Sequence, residues 1–166
     1  DRLRARLGLP LMDVAARAEH LTALPCEGLR CVVVEKKMVF LTLPPLPNTI
    51  AIFGSGFQVE LLRELPWLHA CPIWYWGDLD AQGFQILARL RALFPQVVSL
   101  MMDATTFEAF REFAVSGTHS RVVELPQLAA DEQALYANLT RANLRLEQER
   151  ISYTYAVQRI SDIATG

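Results

Sequence analysis

The sequence predicts an α/β protein built on a mainly parallel sheet of four or five strands flanked by helices. Short apolar, β-branched runs alternate with segments whose apolar residues recur at helical spacing. The run Cys31 to Val34 is continuously apolar, as expected for a strand that is buried on both faces of a parallel sheet. Acidic or glycine-containing turns follow several of these runs, which is typical of strand–turn–helix units.

The predicted elements alternate in order along the chain. Strands are expected at 28–35, 49–53, 72–77 and 97–102, with a short fifth strand at 121–125. Helices are expected at 1–24, 57–65, about 83–94, about 106–114, 131–143 and 153–163. Segment 38–43 fits a short helix or an extended segment equally well.

These elements suggest three regions: an N-terminal helical segment (1–27), an α/β core (28–126) and a C-terminal helical extension (127–166). The first residue is Asp1 rather than Met, so we expect the chain to be part of a longer protein. An apolar fraction of 52% argues against wholesale disorder. No apolar run reaches the length of a membrane span.

The net charge and the cysteine content exclude few classes of function. The net charge of −2 gives no hint of a nucleic-acid binder, although a local basic face remains open. Cys26, Cys31 and Cys71 show no CxxC spacing and are interpreted as buried, reduced thiols of a cytoplasmic protein.

Carboxylates stand where several predicted strands end. Glu35 ends the first strand, Asp78 and Asp80 follow the third, and Asp103 ends the fourth. The carboxyl ends of parallel strands lie on one edge of a sheet, where ligands of such folds bind. Carboxylate oxygens suit Mg²⁺, which can position a phosphodiester and activate a water. The pattern therefore favours a metal site made by Glu35, Asp78 and Asp80.

Each carboxylate also has a purely structural interpretation. An Asp after a strand is commonly a helix N-cap, which is our preferred reading for Asp103 and an open one for Asp80. Glu35 could simply pair with Lys36, Lys37 or an arginine. Gly54 and Gly56 suit phosphate binding, but they suit a tight strand–helix turn at least as well.

A second acidic pair, Glu147 and Glu149, lies between Arg145 and Arg150. A solvated charge run or an internal salt-bridge clasp is the default interpretation. The more specific interpretation is that the pair contributes to the metal site or to the placement of Lys36.

Four segments together resemble a known family. They are residues 32–35, 46–57, 75–84 (with Gly77-Asp78-Leu79-Asp80 and Gly83) and 145–151 (Arg-Leu-Glu-Gln-Glu-Arg-Ile). They resemble the DUF2220 family, the C-terminal Toprim-like domain of the nuclease subunit (JetD) of Wadjet anti-plasmid systems. The resemblance covers roughly residues 9–160. It implies a Toprim-like, Rossmann-like fold similar to that of the topoisomerase VI A subunit.

The resemblance also implies a function. It suggests a DNA endonuclease domain that depends on Mg²⁺ (or Mn²⁺), with the Toprim glutamate at Glu35 and the paired aspartates at Asp78 and Asp80. Implied partners are DNA, a condensin-like (SMC-type) ATPase complex and, in the full-length protein, a second copy. Lys36 stands where the family usually has Asn, and Ala81-Gln82 where it often has Thr-His.

Three functions remain as hypotheses. The first is hydrolytic cleavage of DNA by an activated water, since no tyrosine has an obvious nucleophile context. The second is a non-catalytic DNA-binding or docking module with a degenerate metal site, which Lys36 keeps open. The third, a phosphatase of the haloacid-dehalogenase type, ranks low because two strands precede the paired aspartates.

Overall fold

The fold was obtained as a computed structural model that describes residues 5, 7–8, 15–24, 27–54 and 56–165. A four-stranded, fully parallel sheet forms its centre, with strand order β2-β1-β3-β4. The strands are β1 (Arg30–Val34), β2 (Thr49–Phe53), β3 (Ile73–Trp76) and β4 (Val98–Ser99). Helices flank this sheet, which confirms the predicted α/β class.

Within the described residues, six α-helices and several 3₁₀-helices accompany the strands. The α-helices are α1 (Ala18–Leu21), α2 (Lys37–Thr42), α3 (Ala81–Leu93), α4 (Ala104–Ala109), α5 (Ala130–Ala142) and α6 (Tyr153–Thr165). The 3₁₀-helices are Gly56–Glu64, Pro66–Ala70, Arg111–Phe113 and Gln148–Arg150. Among the residues that the structure describes, no helix is both long and apolar enough to cross a membrane.

Alternate residues of β1 supply two separate cores. Cys31 and Val33 pack into the cluster that contains α3, whereas Val32 and Val34 pack into the cluster that contains α6. All four side chains are completely buried. The continuous apolar run of β1 therefore reflects a strand that is covered on both faces, as predicted.

The fifth strand was predicted in the wrong place. Residues 121–125 are not a strand; β5 is Val115–Ser116, and it pairs antiparallel with β6 (Leu144–Arg145). Val122 and Val123 are 38% and 47% exposed, and the Val123 N–H donates to the Tyr136 hydroxyl (3.1 Å). β-Branched residues favour a strand only where a neighbour packs against them, which is not the case here.

Several predicted boundaries also shift. β4 is shorter than predicted, because Met101 adopts a left-handed conformation (φ 56°). The 57–65 helix is a 3₁₀-helix, and the predicted 106–114 helix divides into α4 and the 3₁₀-helix Arg111–Phe113. Residues 1–4, 6 and 9–14 of the predicted 1–24 helix lie outside the described residues; in the described stretch 15–24, Ala18–Leu21 is helical, whereas 15–17 is not.

Candidate metal centre at the carboxyl edge of the sheet

The strand order creates a crevice at the carboxyl edge of the sheet between β1 and β3. From β1 the chain leads to β2 on one side, and from β3 it leads to β4 on the other. Open α/β sheets bind ligands at such switch points. Glu35 directly follows β1, and Asp78 and Asp80 follow β3. The topology thus brings the three predicted carboxylates to the crevice.

Glu35 is held at the centre of this group. Its Oε2 accepts hydrogen bonds from the Tyr75 hydroxyl (3.2 Å) and from the Asp78 N–H (3.3 Å). Burial and then the negative charge of Asp78 raise the pKa of Glu35 from 4.5 to about 7; Asp80 adds to the rise, while the Asp78 N–H and Lys36 oppose it. Without a metal, Glu35 therefore exchanges its proton near neutral pH.

Asp78 has a partner on each carboxylate oxygen. Oδ1 accepts from the Gln148 N–H (2.9 Å), and Oδ2 lies 3.0 Å from Lys36 Nζ. The side chain is only 4% exposed. Burial raises the pKa of Asp78, and the bonds from Gln148 and Lys36 offset this rise only in part.

Asp80 begins helix α3. Its Oδ1 accepts from the Gly83 N–H (2.8 Å), so the helix-cap interpretation is confirmed. Among the described residues, no hydrogen bond to Asp80 Oδ2 is found. Capping therefore leaves one oxygen of Asp80 for a second partner.

Gly83 allows the acidic turn to close tightly. A Cβ at this position would lie 2.0 Å from the carbonyl oxygen of Asp78, closer than any side chain tolerates. The first turn of α3 thus packs directly on the Asp78 backbone. Gly54 is also closely packed, since a Cβ there would lie 3.0 Å from Val33 Cγ1. This packing accounts for Gly54 without a phosphate.

Lys36 is fixed through its backbone and ion-paired through its side chain. Its N–H donates to Gln148 Oε1 (3.0 Å), and its Nζ contacts Asp78. Burial lowers the pKa of Lys36, but the hydrogen bond and charge of Asp78, followed by the charges of Glu149 and Glu35, outweigh burial and raise it. Lys36 therefore carries its charge at neutral pH.

Sequence reasoning missed Gln148 and the polar role of Tyr75. Gln148 is 1% exposed, and its side chain also donates to the Trp76 carbonyl (2.5 Å). The signal was present: Leu146 is apolar, and in an extended segment the residue two further on points the same way.

The two glutamates differ in their surroundings. Glu147 pairs with Arg145 (3.1 Å), whereas Glu149 is exposed and acts on Lys36 through its charge. In the described part of the chain, no hydrogen bond or ion pair joins Glu147 or Glu149 to the three carboxylates. Gly56 begins the 3₁₀-helix Gly56–Glu64. The acidic cluster thus consists of Glu35, Asp78 and Asp80.

The three carboxylates are the type of ligand that a hard divalent ion binds. Three carboxylates face one ammonium, and burial, together with the charge of neighbouring carboxylates, raises the pKa values of Glu35 and Asp78. However, within the described ranges no three His, Cys, Asp or Glu side chains already form a set of metal ligands. Both oxygens of Asp78 are engaged, one of them by Lys36. A metal would therefore have to replace the lysine at Asp78 Oδ2.

Comparison with known proteins gives a consistent result. A family model described as "Wadjet protein JetD, C-terminal" matches residues 2–160. The Wadjet protein JetD of Bacillus cereus (strain Q1) is 26% identical over 122 residues, which cover 68% of this chain and 30% of that relative. The chain thus spans less than a third of the length of the curated relative it matches.

Proposed function

The chain belongs to the family of the Wadjet protein JetD C-terminal region, and from this premise we propose that it is a divalent-metal-dependent DNA endonuclease domain. Its role would be defence against plasmids, together with an SMC-type ATPase complex and a second copy of the full-length protein. The observation that carries the proposal is the convergence of Glu35, Asp78 and Asp80, short of positive charge, in the crevice between β1 and β3.

Each carboxylate has a distinct part in the proposal. Asp78 and Asp80 would hold the ion, Asp78 in an orientation fixed by the Gln148 N–H and Asp80 through the oxygen that capping leaves. Glu35 would complete the ligand set and exchange a proton with the attacking water. When bound, Mg²⁺ or Mn²⁺ would neutralise phosphate charge and lower the pKa of a water.

Hydrolysis is favoured over covalent strand transfer. Tyr75 contacts Glu35 directly, but it is completely buried and donates to that carboxylate. Burial, followed by the charge of Glu35, raises the pKa of Tyr75 well above its usual value. Its hydroxyl therefore stays neutral and serves to orient Glu35, which leaves water as the nucleophile.

Cleavage of supercoiled plasmid tests this proposal, with the chain in its complete gene product, its partner subunits and Mg²⁺ or Mn²⁺. D80N is the sharpest variant, because Asn caps a helix as well as Asp does but removes the charge. We expect D80N and D78N to lower the cleavage rate by about 100-fold or more, with D80N unfolding at the wild-type temperature. E108Q is the matched control, since Glu108 is 59% exposed and pairs with Arg111. Wild-type cleavage by D78N would rule out the enzyme.

One observation favours a second candidate, a non-catalytic DNA-binding or docking module. Lys36 Nζ supplies a cation to Asp78 without any metal (3.0 Å). Such a module would bind DNA equally well in EDTA and in Mg²⁺. Neither the wild type nor D78N would cleave the plasmid. DNA binding measured by fluorescence anisotropy in both buffers, alongside the plasmid assay, separates the two candidates.

A further inference from the structure

Lysine is used sparingly in this chain, and only beside the acidic cluster. Lys36 and Lys37 are its two lysines, and the remaining basic residues counted with them are arginines. Both directly follow Glu35. Arginine forms rigid, forked ion pairs, whereas lysine is a compact point charge on a flexible stem. A lysine at this position can therefore leave its carboxylate more readily than an arginine could.

Lys36 is attached in a way that permits its ammonium to move. Its backbone is held by Gln148 Oε1 (3.0 Å), independently of the side chain. The side chain is 30% exposed, so it has access to solvent, while that of Asp78 is 4% exposed. Asp78 would also keep its orientation after Nζ leaves, because Oδ1 is held by the Gln148 N–H (2.9 Å).

We propose that Lys36 is a displaceable counter-cation, which occupies Asp78 Oδ2 in the metal-free protein and is released when a divalent ion binds there. The inference rests on the proposed function, since it requires a metal at this site. Lys36 would then set the metal affinity: every binding event must break its ion pair with Asp78. A site with a neutral residue at position 36 would bind the same ion more tightly.

Mn²⁺ binding to the purified 166-residue chain tests this directly, by calorimetry and by the electron paramagnetic resonance signal of free Mn²⁺. K36M should bind Mn²⁺ about tenfold more tightly than the wild type, which corresponds to about 1.4 kcal/mol. K37M is the matched control, because it removes the same charge from an exposed neighbour. Its affinity should stay close to that of the wild type. Thermal unfolding establishes that each variant is folded.

A second measurement needs no substitution at position 36. Reductive ¹³C-methylation labels the two lysines and the N-terminus, so the spectrum contains few signals. Titration with Mg²⁺ should move the Lys36 signal towards that of the exposed Lys37 and leave the latter in place. In D78N the Lys36 signal should not respond to Mg²⁺.

The outcomes separate this inference from the proposed function. If Mn²⁺ binds the wild type and not D78N, but K36M has wild-type affinity and the Lys36 signal is unmoved, the counter-cation role is refuted and the metal site stands. An equal gain in K36M and K37M refutes it as well, since it indicates a general field effect. If neither the wild type nor K36M binds Mn²⁺, both proposals fail.

Discussion

Replacement of Glu35 by Gln should stabilise the metal-free protein at pH 8 and leave its stability at pH 4 unchanged. Glu35 is placed where burial and the charge of Asp78 oppose its ionisation. The Gln amide oxygen can still accept from the Tyr75 hydroxyl and the Asp78 N–H, the two donors of the native site. The substitution thus removes the unfavourable charge and keeps the hydrogen bonds.

The magnitude follows from the raised pKa. The pKa of Glu35 is about 7 in the folded protein, against 4.5 ordinarily. Because the folded state holds this proton more tightly, its stabilising effect is complete below about pH 4.5 and is lost as the pH rises through about 7. At about 1.4 kcal/mol per pH unit, the wild type loses about 3 kcal/mol over this window. E35Q does not.

Urea unfolding in EDTA between pH 4 and pH 8 measures this effect. The quantity of interest is the free energy of unfolding of E35Q minus that of the wild type, because other titrating groups cancel in the difference. We expect it to rise by about 3 kcal/mol from pH 4 to pH 8. E108Q, which alters an exposed carboxylate, should show a flat difference. An equally flat difference for E35Q would refute the argument that burial and Asp78 destabilise its charge.

Three further substitutions test the scaffold, each by urea unfolding at pH 7. G83A should destabilise by about 3 kcal/mol, because its Cβ would overlap the Asp78 carbonyl oxygen; wild-type stability would show that the turn can open without cost. Q148A should lose about 2 kcal/mol, since the Lys36 N–H loses its acceptor and the Trp76 carbonyl keeps only the Glu35 N–H as a donor, and a loss near zero would mean that water replaces the side chain. R91M leaves the buried Glu132 carboxylate without its guanidinium and should cost about 3–5 kcal/mol. That loss should shrink as the pH falls below about 4.5, because Arg91 contributes to the lowered pKa of Glu132; a loss that is independent of pH would contradict this pairing.

The central sheet and the meeting of the carboxylates were predictable because their signals are local or topological. A run such as Cys31 to Val34 indicates a buried parallel strand by composition alone. Once the strands are parallel, the residues that follow them share one edge of the sheet. Glu35 and Asp78 could therefore be brought together in the prediction without knowledge of any side-chain contact.

The remainder depends on pairings between distant segments that no local pattern encodes. The Val115–Ser116 strand forms only because Leu144–Arg145 reaches it, and each is two residues long. Gln148 is indicated in the sequence only by its spacing from the apolar Leu146, yet it joins the segments after β1 and β3. Gln148 is important because it is buried, and the charged residues beside it in the sequence make that burial hard to predict.

The acidic turn is held by backbone contacts in addition to the Lys36 ion pair. Leu79 exchanges two hydrogen bonds with Leu146 (2.9 and 3.2 Å), which fixes the chain between Asp78 and Asp80. The Gln148 N–H orients Asp78, and the Gly83 N–H orients Asp80. The fold therefore sustains the repulsion among the carboxylates without a metal, as preorganised sites must. Under the proposed function, a metal-bound state would therefore keep the backbone of the acidic turn and change only side chains, with Lys36 leaving Asp78 Oδ2.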